Sequence, residues 1–132
     1  MLEAGTGKAD ITSFVKGVGM MGYGMYTQKV QEVETSLSSR AVVIHQPSNG
    51  KKIAFVNAEM CFITIAIKQA VIEKLTKENP AMGFTEENVM LTAQHTHNGP
   101  GGYSHYPFFN FSIPGFAKEV FEQKINGITK SI

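Results

Sequence analysis

Two short β-rich runs, Ala41-Val42-Val43-Ile44 and Lys52-Ile53-Ala54-Phe55-Val56, flank the turn segment Pro47-Ser48-Asn49-Gly50-Lys51. Asn-Gly supplies the positive-φ conformations of a tight turn, so the two runs are expected to pair as an antiparallel hairpin. A hairpin commits the chain to a sheet, against which the other elements must pack. From Phe62 to Glu78 the apolar positions Ile63, Ile67, Ala70, Val71 and Leu75 recur at spacings of three and four until Asn79-Pro80 ends the pattern, which predicts an amphipathic helix. Its other face, with Lys68, Glu73, Lys74, Lys77 and Glu78, is a solvated surface. Val89-Met90-Leu91-Thr92-Ala93 reads as a further strand that runs directly into His95. A second helix is signalled by Pro114 near its first turn and by Phe116, Val120, Phe121, Ile125, Ile128 and Ile132 at helical spacing, with Gly127 a weak point. The order hairpin, helix, strand, helix predicts an α/β or α+β layer architecture, a mixed sheet with helices packed on it. Four or five strands would leave exposed edges unless a partner or further sequence covered them. The helical pattern ends on apolar Ile132 with no capping glycine, as expected of an incomplete portion of a larger domain.

Leu, Ile, Val and Phe make up about a quarter of the 132 residues, above the ~20% level below which chains tend to stay disordered. A net charge of +1 gives no field that would attract nucleic acid or an anionic bilayer. One cysteine, Cys61, excludes an internal disulfide and any cysteine-based zinc ribbon. No run approaches the ~18 apolar residues of a membrane-spanning helix, and Met1-Leu2-Glu3-Ala4-Gly5 lacks the basic and apolar regions of a signal peptide.

Gly17-Val18-Gly19-Met20-Met21-Gly22 matches the letters of the dinucleotide fingerprint, but Tyr23-Gly24-Met25 follows where a helix should open, so nucleotide binding is rejected. A loop this rich in glycine and methionine reads instead as adaptable apolar surface that lets backbone approach closely. The stretch Thr92-Ala93-Gln94-His95-Thr96-His97-Asn98-Gly99-Pro100-Gly101-Gly102-Tyr103 carries the chemistry. In extended backbone, residues two apart share a side, so His95 and His97 can converge beyond the strand end. Neutral imidazole is a favoured zinc ligand, and a catalytic zinc takes three protein ligands and keeps a position for water. Two histidines leave a metal site, a substrate-contacting pair and surface histidines all open. His105 and His45 read as surface residues, Glu59 as part of a strand-to-helix loop, and Cys61 as a core thiol near the same sheet end. Asn110-Phe111-Ser112 fits the glycosylation pattern.

In this setting the sequence resembles the N-terminal catalytic region of the neutral, non-lysosomal ceramidases. Gly7-Lys8-Ala9-Asp10-Ile11-Thr12 is similar to their G-x-A-D-I-T opening, Gly19-Met20-Met21-Gly22-Tyr23 to G-M-M-G-Y, Ser39-Arg40-Ala41-Val42-Val43 to their R-A-x-V strand, Glu86-Glu87-Asn88-Val89 to their approach to the site, and His95-Thr96-His97-Asn98-Gly99-Pro100-Gly101-Gly102 to H-T-H-S-G-P-G-G. The resemblance implies a zinc-dependent amidase cleaving the N-acyl bond of ceramide, with His95 the zinc ligand and His97 a catalytic residue that contacts the substrate amide. It also implies that Asn98, Gly99 and Tyr103 lie at the substrate, that the partner is a ceramide-like lipid with possible peripheral membrane contact, and that the protein is secreted or membrane-facing. Residues 1–132 would form the N-terminal segment of the catalytic domain. The family's remaining zinc ligands (a histidine, a glutamate and a tyrosine) and its serine motif are expected outside this chain, which alone would have little or no activity.

Two departures bear on substrate: Asn98 stands for the family serine, and Glu32-Val33-Glu34 for a G-I-H segment. They leave room for a related hydrolase of another amide or ester. A non-catalytic α/β binding or assembly module is the alternative from a different class.

Overall fold

The computed structural model describes every residue except Pro114. Six main elements follow one another: β1 (Glu3–Asp10), β2 (Ser38–Gln46), β3 (Lys51–Ala58), α1 (Ile65–Glu78), β4 (Val89–Ala93) and α2 (Lys118–Ser131), with short 3-10 turns at Pro80–Met82 and Pro107–Asn110. The sheet has the order β1-β2-β3-β4, antiparallel at the first two pairings and parallel between β3 and β4. It is the expected mixed sheet with helices packed on it.

The hairpin forms as expected, with Ile44 opposite Ile53 and Val42 opposite Phe55, and Gly50 takes a φ of 68° in its turn. α1 begins three residues later than the apolar pattern because Thr64 caps it, its hydroxyl accepting the Ile67 amide at 3.1 Å. Ile67, Val71 and Leu75 form its buried stripe. β4 runs from Val89 to Ala93, as expected, and completes a β3-α1-β4 unit.

The second helix departs from expectation. Its expected start at Pro114 lies outside the described residues, α2 begins at Lys118, and Phe116 precedes it, nearly half exposed. α2 packs on β1 and β2 and against α1, and Gly127 is where the helix meets β1, since a Cβ there would collide with the Asp10 carbonyl. What reads as a helical weakness is a packing requirement. Lys124 is buried on the same face, its ammonium donating to the Ile11 carbonyl at 3.0 Å.

Both helices join one core with Ala41, Ala54, Val56, Ala58 and Val89 of the sheet. Successive strand residues alternate between faces, so the other face presents Val42, Ile44, Ile53, Phe55 and Met90, all exposed. No described helix is long and apolar enough to cross a membrane.

Candidate active site

β3 and β4 are parallel, so their carboxyl ends lie side by side, the usual place for a site in such a sheet. Pairing continues past both strands: the Gln94 amide donates to the Ala58 carbonyl at 2.9 Å and the His95 amide to the Met60 carbonyl at 3.0 Å. Cys61 and His95 are thereby neighbours although 34 residues apart.

His95 has a φ of 70°, a strained left-handed conformation for a residue with a Cβ. The strand therefore does not continue extended, and β alternation is not what aims the two histidines. The kink is, and it brings His95 Nε2 and His97 Nε2 to 3.3 Å with ring centroids 5.0 Å apart. His95 Nδ1 lies 2.8 Å from the Cys61 carbonyl oxygen, which can only accept, so Nδ1 carries the proton and Nε2 keeps its lone pair. His97 packs edge-on against Tyr23, centroids 5.4 Å apart.

The glycine-rich loop is the floor of this site. No helix opens after Gly22, and residues 17–30 instead brace the histidine loop: Met20 bridges Pro100, the Met21 amide donates to the Gly99 carbonyl at 3.1 Å, and the Gly101 amide to the Gly19 carbonyl at 2.9 Å. Gly22, with φ 94°, lies so close to His97 that a Cβ would stand 2.6 Å from the imidazole. Gly22 and Tyr23 escape spacing arguments because they reach His97 from a distant loop; the signal available for them is the glycine run itself, through its capacity for close approach.

The other candidates separate. Asn98 stays at the site, its side-chain oxygen accepting the Tyr23 hydroxyl at 3.1 Å. Gly99 serves through its carbonyl and by its closeness to Leu37. Tyr103, read as substrate-binding, is fully buried, with its hydroxyl accepting the Phe62 amide at 3.3 Å; burial pushes that hydroxyl's pKa far up. It follows Gly102, whose φ is 79°, and its ring packs on Phe62 with centroids 5.6 Å apart. Glu59 holds Arg40 at 2.7 Å and the Ser38 amide at 2.6 Å. Burial raises its carboxyl pKa, but the hydrogen bonds and nearby positive charge outweigh that and leave it below its ordinary value. His105 lies away from the pair, between Phe116 and Phe121, and His45 meets Glu3 at 3.3 Å. Asn110 donates to the Ser104 carbonyl at 2.6 Å, so the amide of the glycosylation pattern is already engaged.

Among the described residues, Cys61, His95 and His97 form a group able to approach one cation, their donor atoms within 4.8 Å of one another. His95 Nε2 presents its lone pair to the open side, as a zinc ligand must, and His97 Nε2 lies 3.3 Å from it, beside any ion held there. A ligating histidine also typically donates its other N–H to a carbonyl, as His95 does to Cys61. The residues fit zinc. Cys61 contributes through its carbonyl behind His95 and leaves the open side of the pair free.

A mixed sheet with an open, metal-compatible histidine pair at the carboxyl ends of its parallel strands defines a partial α/β enzyme domain. The family model for the neutral/alkaline non-lysosomal ceramidase N-terminal region matches residues 2–132, and the chain belongs to that family. It is 41% identical over 128 residues to the neutral ceramidase of Pseudomonas aeruginosa, covering 97% of this chain and 19% of that protein. It is 33% identical to the neutral ceramidase of Mycobacterium tuberculosis, covering 100% and 21%. A solved ceramidase complexed with C2 superposes with a TM-score of 0.94 at 40% identity, over 99% of this chain and 20% of that one. The crystal structure of the Pseudomonas aeruginosa neutral ceramidase gives a TM-score of 0.92 at 40% identity, over 98% and 20%. The chain thus spans about one fifth of the length of the relatives it matches.

Proposed function

We propose that this chain supplies the N-terminal part of the active centre of a zinc-dependent amidohydrolase that cleaves the N-acyl bond of ceramide to sphingosine and a fatty acid. The observation that carries the reading is the pair of facing imidazole nitrogens 3.3 Å apart, one of them fixed in its tautomer by Cys61. Zinc, when bound, supplies Lewis acidity and lowers the pKa of water. His95 holds the ion through Nε2. His97, clamped between Gly22 and Tyr23, offers its own Nε2 to the scissile amide oxygen, where a fixed donor stabilises developing negative charge. Asn98, tied to Tyr23, orients the polar part of the lipid.

His95 alone is two ligands short of the three a catalytic zinc site takes, so the 132-residue chain alone retains zinc weakly and is inactive. Joined to its downstream coding sequence, the protein should carry zinc and hydrolyse ceramide. His95→Ala should remove both. His97→Ala should keep the metal and lower kcat by about 10²–10³, the usual cost of removing one oxyanion donor. Unchanged zinc content and rate in His95→Ala would refute the assignment.

A second reading, a related hydrolase of another amide or ester, is favoured by one observation. Glu34 and Asn98, the two departures from the family pattern, line the same cavity of about 290 Å³ together with Glu32, Lys29 and Ser13. A substrate panel run on the same longer protein separates the two: a preference for amides with a polar or cationic headgroup over ceramide would establish it.

A further inference from the structure

We infer that Tyr23 is a positioning residue of this site, its ring setting the imidazole of His97 and its hydroxyl setting the side chain of Asn98. The inference deepens the amidohydrolase reading and rests on it for the roles of His97 and Asn98. The contacts that carry it lie wholly within this chain.

Tyr23 reaches the site from a distant loop because that loop is laced to the histidine loop through backbone. Met20 bridges Pro100, the Met21 amide donates to the Gly99 carbonyl at 3.1 Å, and the Gly101 amide to the Gly19 carbonyl at 2.9 Å. These contacts fall just before Tyr23 on one segment and just after Asn98 on the other, so the two segments are held in register. Gly22 then lets the chain pass where a Cβ would meet the imidazole. The Tyr23 ring is thereby delivered perpendicular to that of His97, with centroids 5.4 Å apart and an interplanar angle of 85°. Edge-to-face is an arrangement aromatic pairs favour. His95 is oriented by the bond from its Nδ1 to the Cys61 carbonyl, whereas His97 is oriented by packing on Tyr23 and Gly22.

The hydroxyl does a separate job. It donates to Asn98 Oδ1 at 3.1 Å. An amide whose oxygen is so engaged is fixed in sense, and the end left for a substrate is Nδ2, which only donates. Asn98 therefore presents N–H donors to an acceptor oxygen of the substrate, and Tyr23 decides that it does. A serine at this position carries its oxygen one bond nearer the backbone and falls short of the Tyr23 hydroxyl. The pair depends on the asparagine that stands here for the family serine.

The test uses the protein joined to its downstream coding sequence, with a short-acyl ceramide in detergent micelles as substrate. Tyr23→Phe keeps the ring and loses the hydroxyl, so KM should rise about three- to tenfold, the scale of one hydrogen bond, with kcat nearly unchanged. Tyr23→Leu loses the ring as well, and kcat should fall about ten- to a hundredfold, the scale of a misplaced catalytic group, with zinc content unchanged. Double-mutant cycles read whether Tyr23 acts through its two partners. Tyr23→Leu should cost almost nothing further in kcat when His97 is already alanine, and Tyr23→Phe almost nothing further in KM when Asn98 is already serine. Additive losses in both cycles would mark general damage to the fold and overturn the inference, as would a kcat loss in Tyr23→Phe equal to that in Tyr23→Leu. Isotope-labelled histidine gives a readout independent of turnover. The His97 ring resonance, assigned by its disappearance in His97→Ala, should move in Tyr23→Leu through the lost ring current and hold its place in Tyr23→Phe. If the wild-type protein neither retains zinc nor hydrolyses ceramide while that resonance behaves as stated, the placement of His97 by Tyr23 stands and the hydrolase reading falls. If ceramide is hydrolysed and the resonance ignores the loss of the ring, the reading stands and the inference falls.

Discussion

At the scale of single residues, the convergence of His95 and His97 was legible from their spacing, but the mechanism of convergence was not. Extended backbone would have placed both rings on one side; the structure uses a left-handed residue, and sequence carries no mark for a histidine at positive φ. Gly22 packs on the ring of the second histidine. Gly22→Ala would place a methyl against the His97 ring at a φ that disfavours any Cβ, and should cost about 1–3 kcal/mol, read as a lowered urea midpoint together with shifted His97 imidazole resonances. Lys124 lies off the apolar positions that mark the second helix, so that pattern says nothing of it, yet it is buried. Burial, only partly offset by Asp10, depresses its pKa from 10.5 to about 8. With the folded pKa below the unfolded one, the unfolded chain binds more protons between those values, so Lys124 penalises stability at neutral pH and the penalty is relieved as pH rises from about 8 toward 10.5. Burial raises the pKa of the Cys61 thiol and the Tyr103 hydroxyl and works the other way at high pH, so the test is a difference. The gap in unfolding free energy between wild type and Lys124→Met should change by at most about 3 kcal/mol across that window; a flat gap would show the lysine to be solvated.

At the scale of elements, the parts with strong periodicity were the parts that could be read. The hairpin, α1 and β4 each carry their pattern within one short window, and their bounds moved by a few residues at most. β1 could not be read because Glu3–Asp10 has no alternation of apolar residues. Its sequence, Glu-Ala-Gly-Thr-Gly-Lys-Ala-Asp, becomes a strand because β2 offers it a ladder from Glu3 opposite His45 to Asp10 opposite Ser38. Tertiary pairing decides such a strand, not propensity. The start of α1 shows a local signal overriding periodicity. Thr64 is buried and its hydroxyl satisfies the Ile67 amide, so Thr64→Ala should destabilise the protein by about 1 kcal/mol while Thr64→Ser costs little, both read as shifts of the urea midpoint at constant slope. Equal losses in the two variants would mean that packing of the threonine methyl, and not the cap, sets where the helix begins.

At the scale of the whole molecule, the fold is a layer with one side finished. A parallel strand pair is ordinarily covered on both faces, but among the described elements α1 shares a core with one face of β3 and β4 while α2 packs on β1 and β2, and the opposite face of the sheet presents cross-strand neighbours Val42 with Phe55, Ile44 with Ile53, and Phe55 with Met90. Exposed β-branched and aromatic side chains at that density form a patch of the kind that drives association. The sequence hinted at it through edges left uncovered, but which face would be bare depends on the register and on where α2 docks, and neither is written in a local window. The isolated 132-residue chain should therefore associate in a concentration-dependent way, seen as a rising sedimentation coefficient. Phe55→Lys, half exposed on that face and opposite Met90 on β4, should keep the chain monomeric at little change in thermal midpoint, because surface substitutions away from buried features usually stay within about 0.5 kcal/mol. Phe111→Ser, exposed just after the Pro107–Asn110 turn and away from the sheet face, should leave the sedimentation behaviour as it is. If Phe111→Ser and not Phe55→Lys restores the monomer, the surface around Phe108 and Phe111 is the self-associating one and the sheet face is not.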